Sequence, residues 1–172
     1  MREENARHEA LAVDLRDAVA DDVRSVHALN QANLPAVGST SLEKMQWYLD
    51  EASCFRVVEV DGEIAAYLVA MTPEVPYDSG NFLWFRERGR DFVYIDRVAV
   101  AESHRGEGIG RALYRDVEVF ARRVGARRLT CEVNVRPRNE GSLRFHAALG
   151  FRGLEERDTD YGPRVLMMER LL

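Results

Sequence analysis

The chain has 172 residues, of which 46% are hydrophobic, and this is enough apolar material for one well-packed core. Its formal net charge of −5 argues against a general nucleic-acid binder. No apolar run approaches the roughly 20 residues of a transmembrane helix. The first ten residues lack the apolar core of a signal peptide. The spacing of the two cysteines does not match a metal-binding motif. We therefore expect a single domain over residues 1–172 with a flexible segment at 1–10. We expect it to be soluble and cytoplasmic, with no metal and no nucleic-acid or membrane partner.

The first half of the chain predicts a strand, two helices and a hairpin. In chain order these are a strand at 13–19, helices at 21–34 and 41–52, and a hairpin at 54–71. The hairpin is the clearest element, because two apolar runs flank Asp61-Gly62, a dipeptide that favours a tight primed turn. Residues 72–90 contain two prolines, two glycines and several aromatic residues, which predicts a long functional loop. Phe82, Trp84 and Phe85 in this loop could either line an acceptor pocket or cover the sheet.

The second half alternates strands with helices. In chain order we predict a strand at 91–100, a helix at 108–126, a strand at 127–135, a helix at 139–149, and strands at 151–158 and 164–171. The strand–helix–strand crossover at 91–135 makes its two strands parallel. The order β-α-α-β-β-β-α-β-α-β-β therefore predicts an α/β fold in which helices cover the faces of a mixed sheet.

A glycine-rich turn, "SHRGEGIGRA" at 103–112, lies between a predicted strand and a predicted helix. The first N–H groups of a helix have no partner within the helix, and glycines let a phosphate approach them closely. Arg111 and Ala112 follow the last glycine, so neither the P-loop nor the dinucleotide fingerprint fits. The turn predicts a phosphorylated ligand, and the alternative is a turn that only connects two elements.

The same turn carries a family resemblance. "RGEGIG", after "VYIDRVAVAESH", resembles the Q/R-x-x-G-x-G/A signature of the GNAT superfamily of acyl-CoA-dependent N-acyltransferases. "NEGSLRFHAALGF" at 139–151 is similar to the second conserved block of that family, and the element order matches over about 11–171. "EVN" and "FLWF" look like a predicted-acetyltransferase branch of the superfamily. The resemblance implies a GNAT-like fold with splayed central parallel strands, an N-acetyltransferase domain, and acetyl-CoA as cosubstrate.

The resemblance also implies which residues bind the cofactor. In the family, the pyrophosphate of CoA lies on the glycine-rich loop and the pantetheine runs between the splayed strands. A backbone N–H in the preceding strand polarises the thioester carbonyl, where negative charge develops. The residues at these positions are Arg105, Gly106, Gly108, Gly110 and Arg111 in the loop, Val98 or Val100 in the strand, and Asn139 beside the pantetheine.

An amine acceptor must lose a proton before it can attack, because its ordinary pKa is about 10. Glu132 is the first candidate for the base, since it resembles a position where several relatives carry an acidic residue. Asp96 is the second candidate, because it interrupts an apolar strand and needs a purpose or a partner there. The alternative is structural, with an arginine paired to the carboxylate.

His146 stands where many relatives carry a tyrosine that protonates the departing thiolate. A histidine could donate that proton, because its ordinary pKa is about 6.5. The alternative is a packed helix residue that only forms hydrogen bonds.

These observations predict transfer of an acetyl group from acetyl-CoA to a primary amine. The acceptor could be a protein N-terminus, a lysine side chain, an aminoglycoside, a polyamine or a small amino metabolite. One alternative is a catalytically inactive CoA-binding sensor or structural domain, and another is a nucleotide-phosphate binding module. By analogy with the family, the last two strands suggest a homodimer.

Overall fold

A computed structural model describes residues 13–172, so the predicted features of residues 1–10 lie outside the described range. Seven strands form one sheet in the order β1-β2-β3-β4-β5-β7-β6. The strands are β1 (Val13–Asp17), β2 (Cys54–Val60), β3 (Glu63–Met71), β4 (Phe92–Val100), β5 (Arg128–Arg136), β6 (Arg152–Asp158) and β7 (Arg164–Leu171). The helices are α1 (Val23–Ala32), α2 (Leu42–Glu51), α3 (Gly80–Arg86), α4 (Ile109–Arg123) and α5 (Glu140–Ala148).

The predicted hairpin is confirmed as β2 and β3, which pair antiparallel on either side of Asp61-Gly62. Asp61 has φ 50° and Gly62 has φ 84°. A primed two-residue turn requires both of its central residues in this left-handed region, which explains why the dipeptide identified the hairpin.

The prediction for residues 72–90 is incomplete, because this segment contains the short helix α3. Phe82 and Phe85 are 0% exposed and Trp84 is 8% exposed, so they cover the sheet and are part of the core. A helix of seven residues is too short to show a helical period against the surrounding prolines and glycines. Apart from this helix, the order of elements matches the prediction.

Two apolar clusters, one on each face of the sheet, form the core. One cluster places side chains of α1, α2 and α3 against residues such as Tyr67 and Val69 of β3. The other places side chains of α4 against the alternate residue Leu68 and its neighbours. Because helices cover both faces, β3 is almost entirely apolar and shows no alternation in its sequence.

The two parallel strands β4 and β5 separate along their length. They pair only where Phe92–Tyr94 faces Arg128–Thr130, although both strands continue for six further residues to Val100 and Arg136. On the other side of β4, Val69 faces Arg97 while Ala70 faces Ile95. Asp96 is therefore the extra residue of a β-bulge at the start of the gap. The predicted splay of the central parallel strands is present.

Candidate active site

A cavity of about 830 Å³ occupies the gap between β4 and β5 and opens towards the segments that flank it. It brings together five residues that the sequence analysis proposed from separate parts of the chain: Asp96, Val98, Glu132, Asn139 and His146. Val100 and the residues of the glycine-rich loop are not part of this cavity lining. The predicted catalytic residues and the predicted phosphate loop therefore occupy neighbouring regions of one end of the sheet.

Glu132 presents its carboxyl group to the cavity without a cationic partner. The hydroxyl group of Tyr94 donates to both of its carboxylate oxygens, at 2.8 and 2.7 Å. Among residues 13–172, no arginine, lysine or histidine forms an ion pair with it. Burial, and then the nearby charge of Asp96, raise the pKa of Glu132 from its ordinary 4.5 to about 8. A carboxyl group of this pKa can take a proton from an amine near neutral pH.

Asp96 has the structural partner that the sequence analysis considered for it. Arg97 Nε donates to Asp96 Oδ2 at 2.9 Å, and the two side chains are only 11% and 5% exposed. The hydroxyl group of Tyr77 donates to the other carboxylate oxygen at 2.7 Å. Arg97 also donates to Asn30 Oδ1 at 3.0 Å, which ties the pair to α1. These contacts favour the ion-pair interpretation of Asp96 over that of a free base.

Both ring nitrogens of His146 are engaged by neighbouring groups. Nδ1 lies 2.7 Å from the backbone carbonyl oxygen of Ser142, and Nε2 lies 2.6 Å from the hydroxyl group of Tyr114. Since a carbonyl can only accept, Nδ1 carries the proton and Nε2 accepts from Tyr114. Burial lowers the pKa of His146, so the ring is neutral near pH 7. The geometry favours the packing interpretation of this residue.

Backbone N–H groups of β4 point into the gap at both positions that the sequence analysis proposed. The N–H of Ala101 donates to the carbonyl of Ala65 on the strand at 63–71, at 2.7 Å. N–H directions alternate along an antiparallel ladder, so the N–H groups of Val98 and Val100 point away from β3. On that side β5 no longer pairs with β4, and these donors are available to a ligand in the gap.

The glycine-rich loop supplies a set of free backbone donors. Within residues 13–172, the N–H groups of residues 106–111 have no hydrogen-bond acceptor. Gly106 and Gly108 have φ values of 82° and 84°, in the left-handed region that favours glycine. Gly110 is needed for a different reason: a Cβ there would lie 3.2 Å from the ring of Phe145, so this glycine allows α4 to approach α5. Arg111 is exposed beside the loop.

The segment 33–40 joins the loop to the cavity. Arg105 Nη2 donates to Asn33 Oδ1 at 2.7 Å, and Asn139 Nδ2 donates to the carbonyl of Ala36 at 3.4 Å. Asn139 also caps α5, because its Oδ1 accepts from the N–H of Ser142 at 3.1 Å. Two residues predicted to bind the cofactor therefore contact the same segment that lines the cavity.

Several polar residues of the cavity lining had no assigned role in the sequence analysis, among them Tyr77, Asn81 and Tyr114. Tyr77 lies in the segment between β3 and α3, Asn81 lies in α3, and Tyr114 lies on α4, so no local sequence pattern groups them. Their polar atoms come together only when α3, α4 and the segment before α3 pack around the gap. Tyr114 follows Leu113 on a buried face of α4, and this position did not predict the hydrogen bond between its hydroxyl group and His146 on α5.

Both cysteines, Cys54 and Cys131, are buried free thiols. Burial raises the pKa of Cys54 to about 12, so its thiol stays protonated. In the described part of the chain, no helix has the length and apolar character that crossing a membrane requires. Over the same residues, no three His, Cys, Asp or Glu side chains are arranged to hold a metal ion.

The family of the chain follows from comparison with known proteins. A model described as the acetyltransferase (GNAT) family matches residues 23–151, well over half of the sequence. The chain belongs to this family, and the prediction of a GNAT-type N-acetyltransferase is confirmed at that level. No curated protein has a matching sequence.

Solved structures share the fold over nearly the whole chain. Ard1 from Thermoplasma volcanium superposes with a TM-score of 0.77 at 20% identity, covering 94% of this chain and 98% of its own. The ribosomal-protein-S18-alanine N-acetyltransferase from Escherichia coli has a TM-score of 0.72 at 17% identity, covering 93% and 94%. The structure of yncA from Salmonella typhimurium, which includes its cofactor acetyl-CoA, has a TM-score of 0.68 at 21% identity, covering 93% and 94%. These likenesses confirm the predicted GNAT fold.

Proposed function

We propose that this protein transfers an acetyl group from acetyl-CoA to a primary amine, with Glu132 as the general base. The observation that carries the proposal is the position of Glu132. It is a carboxyl group of raised pKa, without a cationic partner among the described residues, in the gap between splayed parallel strands. Asp96, which lines the same cavity, is in contrast paired with Arg97.

The residues present fit acetyl-CoA. The N–H groups of 106–111 form a set of donors at the N-terminus of α4, where the helix dipole favours the pyrophosphate. Arg105 and Arg111 add positive charge next to them. The gap beyond the loop offers the N–H groups of Val98 and Val100 for the thioester carbonyl, and Asn139 lies on its wall. Acetyl-CoA would supply the activated acetyl group.

The reaction requires the amine nitrogen to attack the thioester carbon, so that a C–N bond forms and the C–S bond breaks. Glu132 takes the proton that the ammonium group must lose, directly or through one water molecule. An N–H of β4, from Val98 or Val100, stabilises the charge that develops on the carbonyl oxygen. CoA leaves as the thiolate and is protonated to the thiol, and we assign no side chain to that step.

Product formation tests the proposal. The purified protein is incubated with acetyl-CoA and a panel of amines that covers peptide N-termini, lysine peptides, aminoglycosides, polyamines and small amino metabolites. Free thiol is followed with a colorimetric reagent, and acetylated product is identified by mass spectrometry. CoA binding without any acetylated amine would instead support the inactive sensor, and binding of ATP in preference to CoA would support the nucleotide module.

Cytoplasmic location, a single domain over residues 1–172 and a homodimer remain predictions from the sequence. Light scattering on the purified protein measures the oligomeric state directly.

A further inference from the structure

Asn33 joins the end of α1 to the glycine-rich loop through one buried amide group. It is the residue directly after α1 and is only 8% exposed. Its Nδ2 atom donates to the backbone carbonyl of Leu29 in the last turn of α1, at 2.8 Å. Its Oδ1 atom accepts from Nη2 of Arg105, 72 residues further along the chain, at 2.7 Å. The side chain therefore connects two elements that are far apart in the sequence.

The chemistry of the two partners fixes the orientation of this amide. A backbone carbonyl can only accept a hydrogen bond, and a guanidinium group can only donate one. The –NH₂ end of Asn33 must therefore face Leu29, and its oxygen must face Arg105. Turning the amide over would place donor against donor and acceptor against acceptor. The helix thus holds Asn33 in the one orientation that presents an acceptor to Arg105.

This contact uses only part of the guanidinium group of Arg105. A guanidinium group has several N–H donors, and within residues 13–172 the Arg105 side chain forms only the bond from Nη2 to Asn33. No carboxylate of the same residues forms an ion pair with Arg105, and Glu107 of the loop contacts His104 instead, at 2.9 Å. Asn33 therefore restrains Arg105 without neutralising it, and the charge and remaining donors of Arg105 stay available to an anion at the loop.

Asn33 also closes a turn in the wall of the cavity. Its backbone carbonyl accepts from the N–H of Val37 at 3.2 Å, and residues 34–39, which include this turn, line the cavity. The far end of the turn is fixed to α1 independently of the loop, because Asn30 Nδ2 donates to the carbonyl of Gly38 at 3.1 Å. The near end depends on how firmly Asn33 is held, and the Val37 amide reports whether the turn is closed.

We propose that Asn33 is a positioning residue: it holds the Arg105 guanidinium group for the pyrophosphate of CoA, and its turn with Val37 couples occupancy of the loop to the wall formed by residues 34–39. Because a restrained arginine loses less side-chain freedom when a ligand binds, the contact should raise the affinity for CoA. Because coupling between two sites is reciprocal, CoA should stabilise the turn in return. This inference rests on the proposed binding of acetyl-CoA, and it depends neither on the acceptor nor on the base.

A double-mutant cycle on the affinity for CoA tests the first part. Asn33→Leu keeps the size of the side chain and removes its acceptor, and we expect the Kd for CoA, measured by calorimetry, to rise about three- to tenfold. In an Arg105→Met background the same change should have no further effect, because the group that Asn33 positions is gone.

Arg111→Met provides the matched control for this cycle. Arg111 adds charge beside the loop, and neither hydrogen bond of the Asn33 side chain involves it. Asn33→Leu should therefore cause the same loss of affinity in Arg111→Met as in the wild type. An unchanged Kd in Asn33→Leu, or equal losses in the wild type, Arg105→Met and Arg111→Met, would overturn the inference.

Hydrogen exchange of the Val37 amide, followed by NMR, tests the coupling without any acceptor. Each protein is saturated with CoA, so that differences in affinity do not affect the comparison. In the wild type, CoA should slow this exchange at least about fivefold relative to the free protein. The slowing should be lost in Asn33→Leu and Arg105→Met and kept in Arg111→Met. No slowing in the wild type, or slowing that survives in Arg105→Met, would contradict the coupling.

Folding and the loop assignment are separated from the inference by two further observations. If Asn33→Leu does not fold, Arg105→Met carries the exchange test, because Arg105 is exposed and its substitution leaves the bond from Asn33 to Leu29 in place. If Gly108→Val retains its affinity for CoA, the proposed cofactor loop itself fails. If Gly108→Val abolishes binding while Asn33→Leu causes the same loss in every background, only the role of Asn33 fails.

Discussion

The guanidinium group of Arg97 and the carboxylate of its neighbour Asp96 form an ion pair at 2.9 Å beside the β-bulge of β4. This pair distinguishes the two carboxylates that face the cavity. Asp96 is neutralised by Arg97 and also accepts a hydrogen bond from Tyr77, whereas the hydrogen bonds of Glu132 come from the uncharged hydroxyl group of Tyr94. The difference in partners, rather than in position along the gap, favours Glu132 as the base.

Removing Arg97 should destabilise the protein strongly. Arg97→Met leaves the buried Asp96 carboxylate without its cation and removes a donor from Asn30, so we expect a loss of about 3–5 kcal/mol in the free energy of unfolding. Arg164→Met is the matched control, because its partners Glu156 and Asp158 are exposed, and it should cost no more than about 1 kcal/mol. Urea unfolding at pH 7 measures both. Equal effects would show that the buried pair has no special structural role.

The pH dependence of activity should follow Glu132. The ionised carboxylate is the active form, so kcat/KM should increase with pH through about 8 and then level off. Glu132→Gln should reduce turnover about 10²- to 10⁴-fold at pH 7 and recover at alkaline pH, where more of the amine is already unprotonated. Steady-state kinetics from pH 6 to 10 give the profile. A uniform effect at every pH would move the base role to Asp96 or to water.

The stability of the protein should also depend on Glu132. Its pKa is about 8 in the folded protein against an ordinary 4.5, so the folded state binds the proton more tightly. The resulting stabilisation is fully present below about pH 4.5 and is lost as pH rises through 8. Each unit of difference between the folded and unfolded pKa values corresponds to about 1.4 kcal/mol, and solvent screening reduces this amount. Compared with Glu132→Gln, the wild type should become relatively less stable between pH 5 and pH 9. Parallel unfolding curves at all pH values would contradict the raised pKa.

The glycine-rich loop can be tested with a pair of glycines that share one backbone conformation. Gly108 has φ 84° at the start of α4, and Gly125 has φ 80° just beyond its end, and a Cβ at either position would have open space within 4 Å. A valine is strained by about 1–3 kcal/mol at either site. We expect Gly108→Val to abolish CoA binding and Gly125→Val to leave it unchanged, as measured by calorimetry. Unchanged affinity in Gly108→Val would remove the loop from the cofactor site.

His146 and Tyr114 should behave as a buried hydrogen-bonded pair. Tyr114→Phe leaves Nε2 of His146 without a donor, and we expect a loss of about 1–3 kcal/mol in stability. His146→Phe should lower stability by a similar amount without altering the affinity for CoA. A large decrease in kcat with an unchanged melting temperature would instead return the proton-donor role to His146.

Local patterns were sufficient where neighbouring residues along the chain decide the structure. Asp61-Gly62 predicted its hairpin because only a primed turn uses two left-handed residues in succession. The glycine-rich turn predicted free donors because backbone N–H groups at the start of a helix are free whatever packs around them, and binding of a phosphate there stays a prediction. The short helix α3 was missed because seven residues provide too few turns for a period to be recognised.

The sequence by itself determined the order of the elements and the glycine-rich turn at the start of α4, since each depends on residues that are adjacent or regularly spaced. It also offered Asp96 and Glu132 as candidate bases. Only the tertiary structure decided the partners of the candidate site residues: Arg97 for Asp96, Tyr94 for Glu132, and Tyr114 for His146. All but the first of these contacts join residues from different elements. The charge and basicity of a side chain depend on the groups that surround it in space, and that environment is fixed when the sheet separates and the helices pack against its two faces.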